Sequence, residues 1–420
     1  MKAPTALVAA IVLAAASLAA DGYYRLERLA NDAWRILDPQ GETFVPLGVE
    51  HCRLWGEGDF ENRMLVKFAT KEAWAADALA KVMDWNFTLL GGCCEPMLFH
   101  RGVPHTIYPW VGEPYSFDGG DKAILKGLHR PGTAFPNVFN PGWPEYCREW
   151  TKRHFAPQRH DRDLFGWFFD NELAWWGDQV ADAPKQGAYR LVDVVAALPP
   201  EHSARRAYEA FMAEHRGEWP AAKCRAEFLR LIAEKYFGGI VSALRAADPN
   251  HLILGCRFSG VWMEPEILEV AGKWLDVISF NHYSWVNTMN GEVRISYRDG
   301  ESSQLVEQRY REMYALAKKP FFVTEWSFPA MDAGLPCTVG EGMRTRTQQE
   351  RTKASEAFAR KVMSLPFVIG YDYFMWHDST AGGENCNYGL VNNDGVPYAE
   401  LTAMFRHVNA EFVHERTVRK

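Results

Sequence analysis

Eight short apolar runs recur along this chain with amphipathic stretches between most of them, and no other feature restricts the fold so strongly. Val45 to Val49, Phe87 to Gly91, Ile107 to Val111, Leu164 to Phe169, Leu252 to Cys256, Val277 to Asn281, Phe321 to Thr324 and Val368 to Phe374 read as buried strands. Lys71 to Met83, Pro144 to His154, Pro265 to Trp274, Gln304 to Lys318 and Gln348 to Leu365 read as helices, with Thr70 as N-cap of the first and Pro320 where a strand restarts. Strands that alternate with helices build a parallel sheet, because each helix carries the chain back to the starting edge. Eight of them predict a (β/α)8 TIM barrel. The chain between Glu172 and His251 is too long for one crossover. Its two helical patterns, Ala204 to Arg216 and Ala221 to Ala247, predict a helical insertion on the fourth unit over residues 173–250. Gly238-Gly239 is expected to break or kink the second pattern, since paired glycines cost about 2 kcal/mol relative to alanine.

Ahead of the first unit, residues 21–44 hold short alternating runs separated by Asn31-Asp32 and Pro39-Gln40-Gly41, which predicts a small N-terminal antiparallel β cap. Residues 1–20 carry Lys2, an apolar run from Ala6 to Ala16 and small residues to Ala20, the grammar of a signal peptide. The expectation is one catalytic domain over residues 21–420, secreted or periplasmic, with no membrane anchor once the leader is cut. With 420 residues, 47% of them hydrophobic, the chain has enough apolar side chain for one large core. A formal net charge of −7 argues against a nucleic-acid partner, which would favour a basic face. The eight cysteines follow no zinc or redox spacing and read as core thiols with one or two disulfides.

Two of the apolar runs end on a glutamate. Leu164 to Phe169 leads into Asp170-Asn171-Glu172, and Phe321 to Thr324 leads into Glu325-Trp326. The C-terminal ends of barrel strands are where such enzymes place their sites. A glutamate there often does no more than favour the next helix through its dipole, but two facing each other across one mouth suit glycoside hydrolysis. Sixteen tryptophans point the same way, because sugars stack their C–H faces on indole. Trp175, Trp176, Trp285, Trp326 and Trp376 all fall just beyond strand ends, although core packing claims many of the sixteen.

In these motifs the chain resembles the clan of retaining (β/α)8-barrel glycoside hydrolases whose catalytic glutamates stand on strands four and seven. The likeness runs from Trp34 to about Phe405. It is nearest to β-agarase-like and β-galactosidase-like members in Trp34 to Gly41, in Gly166 to Leu173 and in Asn387 to Val391. The resemblance implies Glu172 as acid/base and Glu325 as nucleophile, acting on a β-galactoside or agar-type oligosaccharide or polysaccharide. It further implies that Asn171 bonds the sugar 2-hydroxyl, that Tyr283 donates to Glu325, and that Trp376 forms an apolar floor. The clan often has histidine where Asn281 stands, so His282, one residue on, has an open role. Its arginine near strand two is missing from Gly91-Gly92-Cys93-Cys94-Glu95.

Arg257 reads either as a substrate or carboxylate ligand or as a structural ion pair. Glu50 and His51, at the end of strand one, read either as sugar contacts or as a structural pair. Trp326 and Trp175 join the expected substrate-binding set. No nucleophile elbow, HExxH or phosphate loop occurs, and neither cofactor nor metal is expected; His282, His377 and Asp378 lack ligand spacing. The alternatives are a β-mannosidase or β-glucosidase of the same clan, or a non-catalytic carbohydrate-binding barrel.

Overall fold

The computed structural model describes residues 22–30, 33–56, 58–128, 132–177, 189–295, 304–380 and 384–418, so the expected leader lies outside the described residues. Its centre is one parallel sheet. The strands are β1 (Leu47–Val49), β2 (Leu89–Leu90), β3 (His105–Ile107), β4 (Leu164–Phe168), β5 (Leu252–Gly255, resumed at Phe258–Ser259), β6 (Ile278–Asn281), β7 (Phe321–Glu325) and β8 (Val368–Tyr373). The sheet runs from the first segment of β5 through β4, β3, β2, β1, β8, β7 and β6 to the second segment of β5. Both ends of that order are one strand interrupted only at Cys256-Arg257. The mixed α/β architecture is that of a TIM-like barrel.

The strands were legible as unbroken apolar runs because both faces of the sheet are buried. On β4, Phe165 and Phe168 face the interior with Phe322 of β7, while Leu164 and Trp167 join the layer between sheet and helices. The rings of Phe168 and Phe322 stack 6.2 Å apart. The antiparallel strands Arg25–Arg28, Trp34–Leu37 and Thr43–Phe44 supply Tyr24 and Ile36 to that interior cluster, and Tyr24 meets Phe165 edge-on at 5.3 Å. This is the expected cap, at the end of the barrel where the strands begin.

The outer layer holds α1 (Lys71–Asp84), α2 (Trp143–His154), α3 (Arg190–Ala197), α4 (Ser203–Glu214), α5 (Ala221–Ala247), α6 (Pro265–Trp274), α7 (Val306–Ala317), α8 (Gln348–Met363) and α9 (Ala399–Val418). Thr70 caps α1 as expected, its hydroxyl accepting from the Ala73 N–H at 3.1 Å. Between β4 and β5 stand α3, α4 and α5.

Two expectations need correction. The third strand is His105–Ile107 and not Ile107 to Val111, because Pro109 has no N–H to give a ladder and ends the pairing. The glycine pair does not break α5, which runs unbroken for 27 residues. A Cβ on Gly238 would lie 3.0 Å from the Trp274 ring of α6, and one on Gly239 would lie 2.8 Å from Nε1 of Trp143 on α2. The glycines therefore let two tryptophans press against the helix, and packing outweighs propensity.

Gly239→Ala tests that balance. Alanine favours the helix by about 1 kcal/mol, while overpacking costs about 1–3 kcal/mol. The Trp143 indole cannot easily yield, since its Nε1 donates to the Lys235 carbonyl at 3.3 Å. A net loss of about 1 kcal/mol is expected in urea unfolding; an unchanged or raised midpoint would show that Trp143 moves aside.

Candidate active site

The break in β5 builds the centre of the site. Arg257 has φ of +47°, a left-handed backbone that interrupts the strand and lets its side chain enter the barrel. The guanidinium is fully buried. Its Nη2 donates to Glu50 Oε2 at 2.8 Å and to Glu325 Oε1, joining the ends of β1, β5 and β7. Its plane also lies over Tyr108, 5.1 Å from the ring centre. Both contacts are buried ion pairs, with Glu50 and Glu325 as the partners of Arg257. Glu50 takes a further bond from the Gly92 N–H at 3.3 Å.

Glu325 is the last residue of β7, and Tyr283 donates to its second oxygen, Oε2, at 2.9 Å. Burial pushes the Glu325 carboxyl well above its usual range, Arg257 and Tyr283 oppose the rise, and the charges of Glu50 and Glu172 add to it. Glu172, four residues beyond β4, sits differently. Its backbone N–H donates to the Arg257 carbonyl at 3.0 Å, so one residue touches both glutamates. Asn281 Nδ2 donates to Glu172 Oε1 at 2.8 Å and to Asn171 Oδ1 at 3.2 Å. The Asn281 amide is oriented from behind, because Thr324 donates to its carbonyl oxygen at 2.8 Å. Burial raises the Glu172 carboxyl, while Asn281, Arg257 and Ser259 moderate the rise.

Five non-glycine residues at these strand ends have positive φ: His51, Cys93, Asp170, Glu172 and Arg257. Each costs of order 1–3 kcal/mol and persists only where neighbours enforce it. For Asp170 those neighbours are visible. Its carboxylate accepts from the N–H groups of Val111, Gly112 and Glu113 at 2.7–3.0 Å and from the Tyr236 hydroxyl at 2.6 Å. It thus ties the loop after β3 to α5 and fixes the turn that presents Asn171 and Glu172.

The structure brings together Glu50, Asn171, Glu172, Arg257, Asn281, Tyr283 and Glu325. Four other expected substrate contacts point elsewhere. Successive residues of a strand face opposite sides, so with Glu325 inside the barrel Trp326 faces the helices, against Phe358 and Phe405. Trp175 packs on Phe237 and Tyr236 of α5. Trp376 is 1% exposed and meets Trp85, at the end of α1. His282 is buried beside Phe358, with Nδ1 2.8 Å from the Tyr310 hydroxyl; burial pushes it down to about 3, so it stays neutral.

Two neighbours of the site were missed. Phe374 stands just past β8 with its ring 6.2 Å from Tyr283 and 5.1 Å from His51, an aromatic wall where Trp376 was expected. Asp372 of β8 lies inside the barrel with neither carboxylate oxygen hydrogen-bonded. Its signal was a lone acid in the apolar run Val368 to Phe374. Glycine makes room for it: a Cβ on Gly48 would sit 1.8 Å from Asp372 Oδ1, and one on Gly91 2.8 Å from its carboxyl carbon.

No family model matches the chain. β-Agarase B of Vibrio sp. (strain JT0107) is 24% identical over 408 residues, which is 89% of this chain and 39% of that protein. β-Agarase A of the same strain is 23% identical over 393 residues, 83% of this chain and 37% of that protein. The chain is related to the β-agarases. It spans about two fifths of the length of these curated relatives. The crystal structure of an agarase, AgWH50C, superposes with a TM-score of 0.75 at 22% identity, covering 94% of this chain and 64% of that one. An exo-β-agarase gives 0.77 at 19%, covering 95% and 66%. At such identities these structures share the fold.

Asp372 supplies a test by pH. Burial pushes its carboxyl from 3.8 to about 8, with Arg257 opposing and Glu325 adding to the rise. Between those values the folded chain holds a proton that the unfolded chain has released. The contribution is thus full at low pH and is lost as pH climbs toward 8. In urea unfolding at pH 5 and pH 9, Asp372→Asn is expected to lose less stability across the interval than wild type; equal losses would place an ionised Asp372 in the folded core.

Proposed function

We propose that this chain is a glycoside hydrolase acting on agar-type oligosaccharides, retaining the anomeric configuration, with Glu325 as nucleophile and Glu172 as acid/base. The observation that carries the reading is the contrast between two carboxyls at facing strand ends. Glu325 receives a guanidinium on one oxygen and a phenol on the other, contacts that favour the anion. Among the described residues the donors to Glu172 are the neutral Asn281 and Ser259, which suits a carboxyl that must carry a proton. The relatives support the substrate class, since both curated ones are named as β-agarases.

In this reading Glu325 attacks the anomeric carbon as Glu172 gives its proton to the departing glycosidic oxygen. The sugar is left as an ester of Glu325. Glu172, now ionised, takes a proton from water, whose oxygen attacks the anomeric carbon and frees Glu325. Ester formation removes the Glu325 charge, one of the nearby anions, and so eases the ionisation of Glu172. Asn281 holds the acid, and Asn171, whose carbonyl oxygen Asn281 engages, keeps its amide N–H groups for a sugar hydroxyl. Phe374 supplies the apolar wall. Arg257 and Tyr283 hold Glu325 in the attacking orientation.

The test is reducing-end release from agarose oligosaccharides, with β-mannan and β-glucan oligosaccharides as controls. Glu172→Ala is expected to lose more than about 100-fold on the oligosaccharide. Formation of the glycosyl-enzyme from a dinitrophenyl β-galactoside should be largely spared, because that leaving group needs no proton. Equal losses in a folded variant would remove Glu172 as the acid, and no hydrolysis of any of the three substrate classes by wild type would favour a binding barrel.

A further inference from the structure

At the opposite end of the barrel, where strands begin, three potential metal ligands converge. His100 precedes β3, His105 is its first residue, and Asp161 precedes β4. Their ligand atoms all lie within 4.8 Å of one another. His105 Nε2 is 3.2 Å and His100 Nε2 is 3.6 Å from the same oxygen, Asp161 Oδ2. His105 is fully buried and neither of its ring nitrogens makes a hydrogen bond; Asp161 Oδ2 is buried and makes none either. At 3.2 Å His105 Nε2 is within ion-pair reach of Asp161 Oδ2, but the ring N–H is not aligned on it as in a hydrogen bond.

The surroundings hold these atoms in place. Asp161 Oδ1 accepts from the Asp163 N–H at 3.0 Å, which leaves Oδ2 turned toward the histidines. The Asp161 carbonyl contacts His251 Nε2 at 2.6 Å, and the His105 N–H donates to the Asp163 carbonyl at 3.0 Å. The His105 ring stacks on Phe99 at 4.0 Å. Asp163 Oδ2 lies 3.3 Å from the other nitrogen of His100, Nδ1, the carboxylate–histidine arrangement that orients a metal-binding imidazole.

We propose that His100 Nε2, His105 Nε2 and Asp161 Oδ2 bind a zinc ion, with water as fourth ligand. Tetrahedral zinc with N and O ligands at about 2.0–2.2 Å sets those ligands about 3.3–3.5 Å apart, and the two Asp161 separations bracket that span. Two imidazoles and one carboxylate suit zinc rather than calcium or magnesium, which take oxygen ligands. The ion ties the segment before β3 to the segment before β4. Its role is to brace the base of the barrel, away from the glutamates, and it is independent of the proposed hydrolysis.

The experiment uses the whole chain, stripped with a chelator and titrated with zinc chloride by calorimetry, with thermal melts of the same samples. Wild type should take up one zinc with a raised melting temperature, as expected for a ligand that binds only the folded state. His100 is 58% exposed, so His100→Ala should fold and melt as metal-free wild type does, with zinc affinity lowered at least tenfold and no zinc-induced shift. Cobalt(II) should give the visible absorption of a four-coordinate site in wild type and not in the variant. No zinc uptake by wild type, or equal affinity and equal melting shift in His100→Ala, would overturn the site; the second result would mean adventitious binding at other histidines. Uptake of calcium in preference to zinc would overturn it as well.

Discussion

One guanidinium buried among several carboxyls organises this molecule. Arg257 contacts Glu50 and Glu325 directly, and its field reaches Asp372, so a single cation serves three acids inside the barrel. Desolvation makes ionisation of all three costly; Arg257 offsets that cost for Glu50 and Glu325, which it contacts, and a carboxyl without such a contact is pushed toward its protonated form. Asp372, with no hydrogen bond, is the clearest case. Removing the guanidinium would strand its partners, and breaking a buried pair in that way costs about 3–5 kcal/mol. The same residue sets geometry through its backbone, because its left-handed φ splits β5 and its carbonyl receives the Glu172 N–H. Charge and chain path at the mouth are therefore one constraint.

That dependence explains what could and could not be read from sequence. The strands were visible because each lies between two apolar layers. The two glutamates were visible because a charge at the end of such a run breaks the pattern. Arg257 was visible as a residue but not as a partner of Glu50, 207 positions away, since pairing across a barrel follows from strand order rather than local pattern. Trp376 and Trp326 misled for a simple reason. Position beyond a strand end says nothing of which side a ring takes, and one step along an extended chain reverses it. Gly238-Gly239 misled because propensity counts the helix alone, whereas Trp143 and Trp274 press on it from both neighbouring helices. Asp372 was legible and overlooked, a lone acid in an apolar strand.

The two ends of the barrel carry different work. At the strand C-termini, strained residues and long connections shape a site: Asp170 pins the loop after β3, Asn281 reaches from β6 to the fourth unit, and Phe374 closes beside Tyr283. At the N-termini, the antiparallel cap fills the interior with Tyr24 and Ile36, and His105, Asp161 and His251 knit adjacent segments together. This division follows the general logic of barrels, in which loops at one face vary with chemistry while the other face secures the fold. The β-agarase relatives share the fold over nearly all of this chain, and the chain spans only part of their length. Substrate choice rests on loops, so the relatives' substrates do not by themselves decide what this chain's mouth accepts.

The central claim is that Glu325, oriented by Arg257 and Tyr283, bonds covalently to the sugar. It is tested most directly by incubating the protein with a dinitrophenyl 2-deoxy-2-fluoro-β-galactoside, in which fluorine slows both steps and the good leaving group restores only the first. Peptide mass spectrometry of the inactivated protein is expected to find one fluorogalactosyl group, on the peptide containing Glu325, with turnover returning as the ester hydrolyses. A label on Glu172 or Glu50, or active hydrolysis with inversion and no label at all, would contradict the account.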